Sequence, residues 1–209
     1  MDIDFWKDKW EKNIIGFHLS EVNPLLVKYY EQLSLEKNAR LFLPLCGKTK
    51  DISWLLSKGH SIVGVEFSEL AIKQLFDELQ VEPKITQHED LKLYSAQGLD
   101  IFVGDFFKLN TSLIGMVDAI YDRAALVALP SSIREKYSIH LKDITKEAPQ
   151  LLVTFMYDQN LLKGPPFSVS NDEVYNHYEK QYNIVLLDNL NEKFKGKIDA
   201  KESVWLLKK

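Results

Sequence analysis

The chain is 209 residues long, 45% apolar and 27% charged, with 26 lysines and arginines against 30 acidic residues and a net charge of −4. That length suits one domain, residues 1–209, with a sizeable core, and the acidic balance argues against a general nucleic-acid binder, which must neutralise phosphates. Cys46 is the single cysteine, so an intramolecular disulfide framework and a multi-cysteine zinc site are excluded, and a reducing, cytoplasmic compartment is expected.

The opening MDIDFWKDKW is acidic and aromatic, unlike a secretory signal, and no apolar run approaches the ~18 residues of a membrane span. Two helices are expected first, near Asp4–Lys12 and Asn23–Leu33. Leu41–Leu45 then has the length and composition of a strand. Asp51–Ser57 follows as a helix with Ile52, Leu55 and Leu56 on one face and Gly59 as its stop. Ser61–Val65 is the second strand. Ser68–Leu79 is a helix opened by a serine cap, with Ala71, Ile72, Leu75 and Phe76 on its apolar face. Further strands are expected at Leu99–Val103, Val117–Tyr121 and Leu151–Tyr157, with a helix over Ser131–Lys146. Fully apolar strands alternating with amphipathic helices indicate an α/β domain whose mostly parallel sheet is covered on both faces. After a helix over Glu173–Lys180, the strands Ile184–Leu187 and Ser203–Leu207 follow without a helix between them. Asp188–Lys197 is taken as the polar turn of an antiparallel C-terminal pair.

In such a sheet the ligand site lies beyond the carboxyl ends of the strands, so the residues just after each strand carry the functional reading. Pro44-Leu45-Cys46-Gly47-Lys48 follows the first, and Gly47 allows a tight turn and close approach of a ligand. No GxGxxG and no GxxxxGK[ST] occurs, which removes the main support for a dinucleotide or nucleoside-triphosphate site. Cys46 reads as a buried small hydrophobe, since no activating group for a nucleophile is identifiable. Glu66 follows the second strand, 19 residues past Gly47. A carboxylate at that interval can accept from both ribose hydroxyls; the alternative is a solvated surface glutamate. Asp105 with Phe106 and Phe107 follows the third strand, as an adenine-contacting group or as a turn cap. Asp122 and Arg123 end the fourth, and Arg123 is one of three arginines. Trp6 and Trp10 share one helix face, with Phe17 just beyond, as a docked apolar face or as an aromatic lid over a cationic ligand. The five histidines show no HExxH or CxxH spacing, so no metal is expected.

These residues, in this order, resemble the thiopurine S-methyltransferase family. The resemblance runs through FWKDKW, IGFH, PLCGK, GHSIVGVEFSE, GDFF, YDRAALVALP, YDQ, GPPFSV and the closing strand, nearly the whole chain. It implies a Rossmann-like class I methyltransferase fold with a seven-stranded, mostly parallel sheet, an antiparallel C-terminal strand and an N-terminal helical lid over residues 1–35. It implies S-adenosylmethionine as cofactor, S-adenosylhomocysteine as product, and a small-molecule thiol acceptor such as a thiopurine, with the protein acting as a monomer. Carried over by motif, Trp6 and Trp10 would cover the methionine part of the cofactor, Leu45 and Gly47 would form the loop beneath it, and Glu66 would hold the ribose. Asp105 and Phe106 would frame the adenine. Arg123, with Asp122 beside it, would sit near the transferred methyl, and Phe17 and Phe167 would face the acceptor. Where vertebrate members carry an arginine before the last strand, this chain offers only Lys193 and Lys195. Alternatives that keep the cofactor are methylation of selenium or tellurium species, or binding without catalysis. A dinucleotide-dependent oxidoreductase is disfavoured by the single-glycine loop.

Overall fold

The computed structural model describes residues 3–194 and 196–209. Helices α1 (Ile3–Glu11) and α2 (Pro24–Tyr29) precede β1 (Arg40–Leu43), and α3 (Lys50–Ser57), β2 (Ser61–Glu66) and α4 (Glu69–Leu79) follow. A hairpin of β3 (Lys84–His88) and β4 (Leu91–Ala96) leads to β5 (Leu99–Val103), the short α5 (Thr111–Ile114) and β6 (Ala119–Arg123). The chain ends with α6 (Ser131–Thr145), β7 (Gln150–Tyr157), α7 (Asn171–Tyr178), β8 (Asn183–Phe194) and β9 (Ile198–Lys208). Local chemistry sets the helix starts. Asn23, Thr49 and Ser68 each cap the following helix by accepting a backbone N–H, and Pro24 occupies a first-turn position where no donor is needed.

One sheet holds all nine strands in the order β3-β4-β5-β2-β1-β6-β7-β9-β8. The central strands β5, β2, β1, β6 and β7 are parallel, and β9 inserts antiparallel to β7. The expected seven-stranded sheet is therefore present as β5 to β8, and the count is corrected to nine by the β3–β4 hairpin added at the edge. That hairpin escaped the sequence reading because an antiparallel edge strand needs only one buried face, and Lys84–His88 has almost no apolar character. The C-terminal pair is corrected too. Asp188–Phe194, read as a turn, continues β8, and the turn lies beyond Phe194, closed by the Gly196 N–H donating to the Lys193 carbonyl and the Lys197 N–H to that of Phe194. The outer ribbon is largely solvated, so polar residues suit it.

Two apolar layers sandwich the sheet. Leu41, Leu43, Ile62 and Ala119 pack with α2, α3 and α4 on one face. Phe42, Val63, Ile120 and Leu152 pack with α6 and α7 on the other. Strand order reverses between β1 and β6, where a crevice opens at the carboxyl ends of the strands.

Candidate functional site

The floor of that crevice is the loop after β1. Leu45 and Gly47 both adopt left-handed backbone, with φ of 46° and 52°, and the Cys46 N–H donates to the Val65 carbonyl at 3.0 Å. A non-glycine residue in this region is uncommon and marks a loop over-determined by its surroundings. Glu66 supplies much of that determination. Its Oε2 accepts the Gly47 N–H at 2.9 Å and its Oε1 accepts the Ser68 N–H at 2.8 Å. Only 7% exposed, the carboxyl is pushed above its ordinary pKa by burial, with the N–H donors of Ser68, Gly47 and Phe67 opposing the shift. Each oxygen keeps a lone pair beyond the one it uses, so the group can accept two further donors.

The roof is aromatic. Trp10, 4% exposed, lies over Gly47 so closely that a Cβ there would sit 3.0 Å from the indole. Glycine is thus demanded at position 47 by both backbone and contact. Trp6 and Trp10 each meet Phe17 edge-on with centroids 5.5 Å apart. Arg123, at the end of β6, donates from Nη1 to the Phe17 carbonyl at 2.8 Å, tying the roof to the sheet.

Between floor and roof lies a cavity of about 820 Å³, within the size range of small-molecule sites. Of the residues singled out from sequence, Trp6, Trp10, Phe17, Leu45, Gly47, Glu66 and Arg123 all border it. Four do not. Asp105 caps the short turn Phe106–Lys108 by accepting the Phe107 N–H, and Phe106 is buried against Tyr137 and His140 in the core. The ring of Phe167 packs on Gly164, while Pro165 and Pro166 form the cavity wall in its place. Asp122 points away from Arg123, because side chains alternate along a strand. It is fully buried, accepting from the Tyr137 hydroxyl at 2.7 Å and the Leu126 N–H at 3.1 Å. Sequence reasoning also missed cavity residues: Asp51, Tyr121, Phe155, Glu192 and Glu202. For Tyr121 a signal existed, since it shares the Arg123 face of β6. For the ribbon residues there was none, as their segment read as a turn. Lys193 borders the cavity and pairs with Asp199 at 2.5 Å, and Lys195 lies outside the described residues.

Two of these buried groups give direct tests. Burial raises Asp122 to about pKa 6, with its hydrogen bonds to Tyr137, Leu126 and Ala125 opposing. The folded state thus binds more protons than the unfolded one between about pH 4 and 6, so stability falls as pH rises through that window and stays lower above it. Asp122→Asn keeps the acceptor for Leu126 and carries no charge. Its stability relative to the unaltered protein is expected to climb by on the order of 2–3 kcal/mol from pH 4 to pH 7.5, read from urea unfolding; parallel pH curves would refute the assignment. Cys46 is buried in the cavity wall, and burial together with Glu66 holds its thiol protonated, well above the ordinary value. Cys46→Ser is therefore expected to retain most of the protein's activity, whereas complete loss in a folded variant would point to a nucleophilic thiolate.

Among the described residues no group of three or more His, Cys, Asp or Glu could hold a metal ion, and no helix is long and apolar enough to cross a membrane. Residues 1–209 match the family described as Thiopurine S-methyltransferase (TPMT). The thiopurine S-methyltransferase of Teredinibacter turnerae is 48% identical over 209 residues, covering 99% of this chain and 97% of its own. That of Xanthobacter autotrophicus is 47% identical over 212 residues, covering 100% of both chains. Among solved structures, the 1,6-didemethyltoxoflavin-N1-methyltransferase of Burkholderia thailandensis, with bound 1,6-didemethyltoxoflavin and S-adenosylhomocysteine, superposes with a TM-score of 0.68 at 11% identity, over 99% of this chain and 87% of that one. A TehB-like SAM-dependent methyltransferase from Corynebacterium glutamicum gives 0.57 at 12% identity, over 99% and 98%. At those identities the structural matches establish the class I methyltransferase fold, and the sequence matches establish the family. The chain belongs to the thiopurine S-methyltransferase family, a family of S-adenosylmethionine-dependent methyltransferases.

Proposed function

We propose that the protein transfers a methyl group to the sulfur of aromatic or heterocyclic thiols, thiopurines among them. The observation that carries this reading is that Trp6, Trp10, Phe17, Leu45, Gly47, Glu66 and Arg123, drawn from four separate stretches of chain, enclose one cavity. The relatives' shared name supports the acceptor class.

The residues present fit the cofactor. Glu66 retains acceptor capacity for vicinal ribose hydroxyls, the Leu45–Gly47 loop borders the cavity beside it, and the aromatic rings of Trp6 and Trp10 line the same cavity, as suits a sulfonium. When bound, S-adenosylmethionine supplies an electrophilic methyl group on a positively charged sulfur. The chain's own task is then to orient and to exclude water. The roof of Trp6, Trp10 and Phe17 and the wall of Phe155, Pro165 and Pro166 remove solvent from a reaction that neutralises charge when the acceptor is a thiolate, and water would favour the separated charges. Positioning of this kind supplies up to ~7–11 kcal/mol in well-oriented cases. Arg123 makes no ion pair among the described residues, so its guanidinium is available to hold the acceptor anionic. Acidic heteroaryl thiols arrive partly ionised and need no strong base. The protein is proposed to act as a monomer, and a single cysteine suits the cytoplasm as the proposed setting.

Isothermal titration with S-adenosylhomocysteine and methyl transfer from labelled cofactor test the reading. Turnover on 6-mercaptopurine and thiophenol well above that on selenite supports it. Turnover on selenite alone would move the function to selenium methylation, and binding without any transfer would leave a cofactor-binding protein.

A further inference from the structure

The cavity wall remote from Glu66 is made by strand register. Phe155 on β7 pairs with Glu202 on β9, which pairs with Leu190 on β8. Two residues along β8 from Leu190 stands Glu192, on the same side of the ribbon, and both carboxylates border the cavity. The Glu202 carboxylate is half-buried and makes no hydrogen bond or ion pair among the described residues, so the side chain does not hold the ribbon together. Across from it, Tyr121 and Arg123 leave β6 on one face. Tyr121 is 2% exposed, and its hydroxyl lies beside Asp51 without reaching full hydrogen-bond geometry with any described residue. Asp51 is already committed to the Asn23 N–H and the Thr49 hydroxyl. Glu202 is within electrostatic reach of Tyr121, Arg123 and Glu192.

A buried hydroxyl without a partner is costly, and a ligand that supplies one recovers the loss. Glu202 can only accept when ionised, and Glu192 adds a second negative charge beside it. This end of the cavity therefore complements hydrogen-bond donors and repels anions, while Arg123 is a cation available to a thiolate.

We propose that Glu202 and Tyr121 are specificity-determining residues, selecting aromatic thiols that present an amino or ring N–H group and rejecting those that carry a carboxylate. This rests on the thiol-acceptor reading above. Competing recognition by size alone would treat the two alike.

The test measures kcat/KM for 4-aminothiophenol, 4-mercaptobenzoate and thiophenol with the full-length protein, its Glu202→Gln and its Tyr121→Phe variants. Intrinsic thiol reactivity cancels when ratios are compared between proteins. The unaltered enzyme is expected to prefer the amino compound over the carboxylate, and Glu202→Gln is expected to lower that ratio by about tenfold or more, since removing a like charge relieves repulsion of the carboxylate. Tyr121→Phe should lower the amino compound's kcat/KM relative to thiophenol. A merely structural loss would depress all three acceptors together and leave the ratios fixed, and that result overturns the proposal. Thiophenol turnover with unmoved ratios overturns the selectivity alone. No turnover on any of the three overturns the thiol reading and this proposal with it.

Discussion

Glu66→Ala is expected to weaken S-adenosylhomocysteine binding by about ten- to two-hundredfold, the ~1.5–3 kcal/mol of hydrogen bonds to a charged group. The effect has two sources in the structure. The carboxylate is proposed to accept the ribose hydroxyls, and it already fixes the loop beneath them through the Gly47 and Ser68 N–H groups at 2.9 and 2.8 Å. Truncation removes the first interaction and leaves two buried donors unpaired, so the floor of the site loosens as well. Calorimetry gives the affinity, and thermal unfolding of the free protein separates the loop's share. Unchanged affinity in a folded variant would remove Glu66 from the site.

Deleting residues 1–16 is expected to cut methyl transfer by more than about a hundredfold while leaving a cooperatively folding protein, because orientation and water exclusion are lost together. Among the described residues, neither apolar layer contains a residue of α1 and both begin with later residues, so the core persists. What leaves is Trp6 and Trp10, the covering of Gly47 and the edge contacts to Phe17. Trp10→Ala in the intact chain is the finer test. It should weaken S-adenosylhomocysteine binding by several-fold through loss of an aromatic contact with a buried group. A truncated protein that folds and turns over at the full rate would show that the roof is dispensable.

The floor and much of the lining of the candidate site were legible from sequence for a definite reason. A parallel strand buried on both faces is a continuous apolar run, so its end is easy to locate, and the residue following it stands at the rim. Glu66 and the Leu45–Gly47 loop were placed in this way, and Arg123 by its isolation among lysines. The same reasoning erred where it treated neighbours as partners. Asp122 and Arg123 are adjacent in sequence and sit on opposite faces of β6, one in the core and one in the cavity, while Asp105 caps a tight turn and Phe106 enters the core, neither of them at the cavity. Period-two alternation applied to β6 would have separated the first pair.

Composition, strand ends and motif order by themselves determined the α/β class, the parallel centre, the family and the rim residues, since each depends on chain-local patterning. Tertiary structure alone decided the β3–β4 hairpin, the length of the C-terminal ribbon and the far wall of the cavity. Edge strands tolerate polar residues, so nothing local announces them. Tyr121 and Glu202 border one cavity because β6, β7 and β9 are neighbours in a register set across the sheet, a pairing between residues distant in the chain that no short window of sequence contains.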